Sequence, residues 1–319
     1  MRKIRFLIPL FTLLVSCSTN RAPINTTFKP HLLSPVGAPS ITLYSHANDP
    51  NFVTNSNISI IESQFLTNEY DVIIIDHTRG INQIITNSAP FKLARIITKG
   101  NLHLVGINKE MDAYPTTLDK VVTFGSPNAI TNKVLTKTFP DIKTLYYVNS
   151  VTEAGSVLKT GLYNQEEIDY VLMAQPLLFA TLNTNDEYPT KGKLNRIIDL
   201  QEEWHNLSNL NGFPQAGIFV RNKTYETHKE ELDVFFTLYD ENIDNLINDP
   251  NLAISALNEF GDLNAQKARF GITAPILKAM QLDNDNLLGL TIGEIDIDAF
   301  NVYMGETPYP SSIYASFYK

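Results

Sequence analysis

Cysteine and histidine most often carry nucleophilic or metal chemistry, and both are sparse in this chain. Cys17 is the only cysteine in 319 residues. The six histidines (31, 46, 77, 103, 205 and 228) never fall at H-x-x-x-H or H-x-H spacing. No His-rich tract supplies the clustered ligands a transition metal needs. His103 alternates with Leu102 and Leu104 and reads as structural. Glu202-Glu203-Trp204-His205 has the residue types of an acid–base site, but reads better as the polar edge of a helix with one buried indole. There is no G-x-S-x-G, no G-x-x-x-x-G-K-[ST] and no supported acid pair. Nothing singles out a serine nucleophile. The residues therefore argue against an enzyme and imply no cofactor and no metal. The polar groups left to consider lie at the ends of apolar runs: Asp76-His77-Thr78, Ser126-Pro127-Asn128, Gln175 and Gln215. Carboxylate, imidazole, hydroxyl and amide groups in such places can recognise a ligand without transforming it.

Cys17 has a different use. Residues 1–5 carry Arg2, Lys3 and Arg5, and residues 6–15 (FLIPLFTLLV) are almost wholly apolar. That run is too short for a comfortable membrane span of about 20 residues. A basic start, a short apolar core and small residues at its end make a signal peptide. Leu14-Val15-Ser16-Cys17 resembles the bacterial lipobox, with the polar Ser18-Thr19-Asn20 directly after it. On that reading residues 1–16 are removed and Cys17 becomes the lipidated first residue. An ordinary signal peptide with an incidental cysteine, or a short anchor helix, is the plainer alternative. Stable anchoring takes two acyl chains or signals, which a diacylglyceryl cysteine supplies. The body then holds no cysteine and no disulfide.

Residues 18–34 are polar, carry two prolines and show no periodicity, so residues 17–34 read as a lipidated cysteine and flexible tether. The body beyond is about 285 residues, long for one core and suited to two lobes. Its formal charge of −9 becomes −12 without Arg2, Lys3 and Arg5. An acidic surface argues against nucleic acid and against broad contact with anionic lipid.

The positioning elements alternate. SITLY (40–44), ISIIE (58–62), YDVIIID (70–76), NLHLVGI (101–107), KVVTFG (120–125), TLYYV (144–148), DYVLMAQP (169–176) and QAGIFV (215–220) are expected strands. The VIII run is apolar on both faces, as in a buried parallel strand. Helices are expected over 129–139, capped by Ser126 or Asn128, and over 152–162, with Thr152 as N-cap and Gly161 as stop. From residue 224, Leu232, Phe235, Phe236, Tyr239, Ile243 and Leu246 recur at helical spacing. Two further helices are expected near 251–260 and 273–281. The class is α/β with a helical C-terminal third.

The order of Gly37-Ala38-Pro39, YDVIIID, SAPFKLARIITKGNLHLVG (88–106), KVVTFG, YYVNSVTEAGSVLKTG (146–161), DYVLMAQP, LQEEW (200–204) and FPQAGIFV (213–220) resembles the substrate-binding lipoproteins of ABC importers. These have a two-lobe, type II periplasmic-binding fold, and the branch is that of the nitrate, sulfonate and thiamine-precursor binders. The resemblance spans roughly 33–319. It departs at Gly125-Ser126-Pro127-Asn128, which is poorer in glycine than the family's loop, and at MGETPYPSSIYASFYK (304–319), which lacks a GGKLP-like stretch. It implies two crossings between lobes, near Lys109–Pro115 and Phe213–Gln215. Lobe 1 is then 35–113 with 215–319, and lobe 2 is 114–214. It also implies a monomer that captures a small molecule on the extracytoplasmic face of the membrane and docks onto permease subunits. A non-transport surface lipoprotein, either a sensor or an enzyme akin to the pyrimidine-synthesis members of the fold, is the alternative.

In such folds ligands sit outside the carboxyl ends of parallel strands. Asp76, His77 and Thr78 end one strand, either as ligand contacts or as a helix cap. Ser126, Pro127 and Asn128 stand where a helix begins, so its free N–H groups could hold an anion or carbonyl, or simply be capped. Gln175 could offer its amide or close a turn, and Gln215 lies at the expected hinge. Gly37, Ala38 and Pro39 are placed in the cleft by the resemblance alone. The apolar and amide character of this set suggests a small planar or amide-bearing organic ligand.

Overall fold

The computed structural model describes residues 28–109, 115–283, 286–292 and 295–316. The expectations for residues 1–16 and for Cys17 fall outside them. In chain order the elements are β1 (Leu32–Pro35), α1 (Ala38–Ile41), β2 (Phe52–Asn55), α2 (Ile58–Ser63), β3 (Val72–Asp76), α3 (His77–Asn87), β4 (Phe91–Ile96), β5 (Leu102–Ile107), β6 (Leu118–Phe124), α4 (Ile130–Thr138), β7 (Ile142–Val148) and α5 (Val151–Thr160). A small hairpin follows, β8 (Leu162–Tyr163) and β9 (Glu166–Glu167), then β10 (Tyr170–Ala174), α6 (Leu177–Leu182), β11 (Leu194–Asp199), α7 (Leu200–Ser208) and β12 (Ala216–Arg221). The rest is helical: α8 (Asn222–Thr227), α9 (Lys229–Asn248), α10 (Asn251–Phe260), α11 (Leu263–Phe270), α12 (Ala274–Asp283) and α13 (Ile297–Met304).

Two five-stranded sheets organise these elements into two lobes. The first runs β2-β1-β3-β12-β4 and the second β11-β5-β10-β6-β7. In the first, β1, β2 and β3 are parallel and β12 returns antiparallel to both β3 and β4. The second repeats the plan, with β6, β7 and β10 parallel and β5 antiparallel to β10 and β11. The VIII run is buried on both faces, as expected. Val72 and Ile74 join the core under α9, α10 and α12, whereas Ile73 and Ile75 join the core under α2 and α3.

Two expected strands are helical. SITLY holds the end of α1 and the start of a 3-10 turn at Tyr44–His46. Gly37, at φ 127°, and Pro39 in the first helical turn start a helix there, and proline is favoured at that place. The strand that SITLY was expected to supply is LLSP, β1, within the stretch read as tether. It pairs with both β2 and β3, so ordered structure begins before residue 35. ISIIE is α2, nucleated by Asn57, whose side chain accepts the Ser59 N–H at 3.0 Å. Ile61 is buried and Ile60 exposed, which is a helical and not an alternating pattern.

The expected caps also move. Ala129 precedes α4 with no side-chain cap of its own, and Ser150 in place of Thr152 caps α5, while Gly161 ends that helix in the left-handed region as expected. The helix expected from residue 224 breaks once at His228, between α8 and α9, and the apolar stripe from Leu232 to Leu246 lies wholly on α9.

Sheet membership also locates the crossings. The strand Leu102–Ile107, expected in lobe 1 with residues 35–113, pairs with β10 and β11 in the second sheet. The chain therefore changes sheets between Ile96 and Leu102, ahead of the expected Lys109–Pro115, of which residues 110–114 are not described. It returns to the first sheet at β12. A third connection comes from α13. Ile297 packs in the first lobe, while Phe300 packs in the second against Trp204 and Phe213. Trp204 is fully buried on α7, as the reading of Glu202–His205 anticipated.

Candidate binding cleft

A cavity of about 350 Å³ lies between the two lobes, within the usual range for small-molecule sites. It is built from the carboxyl ends of strands in both sheets. β1 leads into Val36-Gly37-Ala38-Pro39, β3 ends in Asp76, β6 leads into Phe124 and Gly125, β7 into Asn149-Ser150-Val151, and β10 into Gln175-Pro176-Leu177. Gly37, Ala38 and Pro39 thus follow the first strand directly. The geometric rule for parallel sheets places them there without appeal to any resemblance.

Six of the eleven expected contact residues meet in this cavity: Gly37, Ala38, Pro39, Asp76, Gln175 and Gln215. The other five do not line it. His77 is fully buried with both ring nitrogens unpartnered among the described residues. Its pKa is lowered from 6.5 to about 4, first by burial, which Asp76 only partly opposes. His77 is therefore a neutral core residue. Thr78 turns back and donates to Asp76 Oδ1 at 2.6 Å. Pro127 and Asn128 are exposed to solvent, and Ser126 Oγ accepts from Arg79 Nη2 at 2.9 Å. Asn132 holds this turn from behind, donating through Nδ2 to the Ser126 carbonyl at 2.7 Å. The residues that local sequence reading did not single out include Asn101, Phe124, Thr131, Lys159 and Lys267. Asn101 precedes β5, and the displaced crossing is what brings it here. Only the position of Phe124 at the end of KVVTF signalled its place.

Asp76 organises the floor. Oδ1 accepts the N–H groups of Thr78 at 2.9 Å and Arg79 at 3.3 Å, capping its own helix α3. Oδ2 accepts the N–H of Ile130 at 3.0 Å and so occupies the N-terminus of α4 in the opposite lobe. One of the backbone donors expected to be free at this helix start, the Ile130 N–H, is thus already engaged by a protein carboxylate. Arg79 spans the lobes as well, pairing with Glu62 at 3.0 Å on its own side and with Ser126 across the cleft. Further out, Lys133 on α4 pairs with Glu306 just beyond α13 at 2.6 Å.

Gln175 shows which end of its amide is available. Its Oε1 accepts the Phe179 N–H at 3.0 Å, so only the Nε2 group is left to donate to the cavity. Asn101 donates through Nδ2 to the Gln175 carbonyl at 2.9 Å. Its own Oδ1, and Gln215 Oε1, are shielded from water and have no donor among the described residues. Apolar groups from Pro35, Val36, Ile58, Phe124, Val151 and Leu177 form much of the wall. Among the described residues, no three His, Cys, Asp or Glu side chains gather as a metal site would require. Nor is any described helix long and apolar enough to cross a membrane.

No family model matches the chain, and no curated protein is similar to it in sequence. Solved structures are similar in fold. An ABC transporter from Parabacteroides distasonis superposes with a TM-score of 0.58 at 16% identity, over 86% of this chain and 89% of that one. The ligand-binding component of an ABC-type import system from Staphylococcus aureus, with zinc bound, gives 0.58 at 11%, over 89% and 95%. The alkanesulfonate-binding protein SsuA from Xanthomonas axonopodis pv. citri, bound to MOPS, gives 0.57 at 10%, over 88% and 96%. The chain has the two-lobe periplasmic-binding-protein fold, in agreement with the expected class.

Proposed function

We propose that this chain is an extracytoplasmic solute-binding protein that captures a small organic molecule between its lobes and delivers it to the permease of an ABC importer. The observation that carries the reading is the cavity of about 350 Å³, walled by apolar groups and fitted with a few polar ones contributed by both lobes. A ligand touching both lobes binds the closed arrangement better than the open one, and that differential affinity is what shifts the population. A permease that recognises the closed form then receives loaded protein selectively. Gly37, Ala38, Pro39, Asp76, Gln175 and Gln215 are the proposed contacts, and no catalytic step is needed.

Cys17 is proposed as the lipidated anchor that keeps the acidic body beside the membrane, with lobes built around the two sheets. The transport role is supported by likeness in fold, over most of their length, to an ABC transporter, a ligand-binding component of an ABC-type import system and an alkanesulfonate-binding protein.

A thermal-shift screen of the body from Ser18 onward tests the reading, using amino acids, sulfonates, nitrate, amides, nucleobases and divalent metals. A ligand at 100 times its Kd adds about 2.7 kcal/mol, a shift of several degrees. One class of small organic molecule raising the midpoint is the expected result. A response to metals alone, or to nothing, would sink it.

A further inference from the structure

The cleft also constrains the kind of molecule it accepts, through what its helix ends have already bound. Six helices start at its wall, and a helix N-terminus is a natural anion site because its first N–H groups lack intrahelical acceptors. Here a side chain accepts at least one N–H at or beside each start. The Asn57 side chain caps one of them, α2. Ser40 Oγ accepts the Gly37 N–H at 3.1 Å. Asp76 caps α3 and α4. Ser150 accepts the Glu153 N–H at 3.2 Å, and the Glu153 carboxylate accepts the Asn149 N–H at 2.8 Å. Gln175 caps α6.

The fixed cation is committed too, since Arg79 holds Glu62 and Ser126. Lys159 and Lys267 line the cleft; Lys267 is exposed and Lys159 half-buried with its ammonium over the Tyr188 ring, and an ammonium reached by water attracts an anion only weakly. A small oxyanion on the floor would face the Asp76 carboxylate, which already holds the N–H groups of Thr78, Arg79 and Ile130 that could have offset the repulsion. What the floor offers instead is a mixture: the carboxylate of Asp76 as acceptor and the Nε2 group of Gln175 as donor.

We propose that the cleft selects an uncharged, amide- or urea-like ligand that carries both a donor and an acceptor, and that Asp76 is the residue that excludes small oxyanions. This rests on the solute-binding reading above. The nitrogen-bound hydrogens of such a ligand would point to Asp76, and its carbonyl to Gln175.

Calorimetry with matched amide and carboxylate pairs tests the idea on the whole body: benzamide against benzoate, and nicotinamide against nicotinate, with nitrate and methanesulfonate alongside. The wild-type chain is expected to bind at least one amide ten times more tightly than its carboxylate partner and neither inorganic-type anion. Asp76→Asn retains the shape and a capping oxygen, and should narrow that ratio to within about threefold. Gln175→Glu keeps an oxygen for Phe179 but removes the donor, and should weaken the amides tenfold without admitting the anions. Melting curves of both variants establish that they are folded. Carboxylates, nitrate or methanesulfonate binding as tightly as the amides would overturn the selectivity and leave solute capture standing. An unchanged ratio in Asp76→Asn would remove Asp76 as its cause. Failure of the wild-type chain to bind any member of either set would overturn the amide selectivity, while solute capture itself falls only if the thermal-shift screen is also blank.

Discussion

Asp76 Oδ2 lies 3.0 Å from the backbone nitrogen of Ile130, on the far side of the cleft. One carboxylate therefore caps two helices that belong to different sheets, α3 through Oδ1 and α4 through Oδ2. It is at once a local cap and a strap between lobes.

Removing that carboxylate should cost stability twice over. Loss of a side-chain N-cap costs about 0.5–2 kcal/mol, and Asp76→Ala leaves both α3 and α4 uncapped. Urea denaturation should show a loss near the upper end of that range. Asp76→Asn, which keeps one acceptor, should lose less than half as much. The idea of a shared cap fails if the two variants are equally stable.

The connection made by α13 is also open to test. Phe300 is 1% exposed. Its ring lies 5.5 Å from Trp204 of the second lobe and 6.1 Å, edge-on, from His77 of the first. Phe→Ala in a packed core costs about 3–5 kcal/mol. Trp204 is the only tryptophan and is fully buried, so its emission reports on this contact. Phe300→Ala should move the emission to longer wavelength while much of the helical signal remains. An unchanged spectrum would mean that α13 does not hold the indole.

The crossing beside Gly100 admits no side chain at Gly289. This glycine has φ +63°, and a Cβ there would lie 1.9 Å from the Gly100 carbonyl oxygen. Its own carbonyl accepts the Lys99 N–H at 2.8 Å, so neither segment can retreat without losing a bond. Gly289→Ala is expected to cost about 1–3 kcal/mol, as other overpacked sites do. A melting point within one degree of wild type would contradict this.

Much of the scaffold was legible because its signals are local. VIIID reads as a strand with Asp76 at its end from apolar run length alone, and the stripe from Leu232 to Leu246 reads as one helix face. Several of the failures were cases where a distant partner decided. LLSP has too few residues to announce a strand, and becomes one because β2 and β3 flank it. SITLY has the composition of a strand, but the sheet position was already taken and Gly37-Ala38-Pro39 starts a helix. At the site, the position of Asp76 was readable whereas its partner Ile130, 54 residues away, was not. His77 was expected in the cleft because it follows a strand end. Its ring faces α13 instead, a neighbour more than 200 residues later.

The burial of His77 gives the protein a pH dependence with a definite sign. Its backbone N–H donates to the Gln215 carbonyl at 2.9 Å. The ring meets Phe300 of α13, while Asp76, Lys133 of α4 and Glu306 supply the charges around it. Burial lowers the folded pKa to about 4 from 6.5. The unfolded chain therefore takes up this proton near pH 6.5, and the folded chain resists it until about pH 4. Stability from this group is complete above pH 6.5, declines as the pH falls through that window, and is gone below pH 4. At about 1.4 kcal/mol per pKa unit the full loss is about 3 kcal/mol. His77→Phe removes the titration. Urea midpoints of the wild type and the variant should differ in their slope against pH between 6.5 and 4, with the variant flatter, and run parallel from pH 7 to 8. Parallel curves throughout would mean that the folded chain protonates this imidazole as readily as the unfolded one.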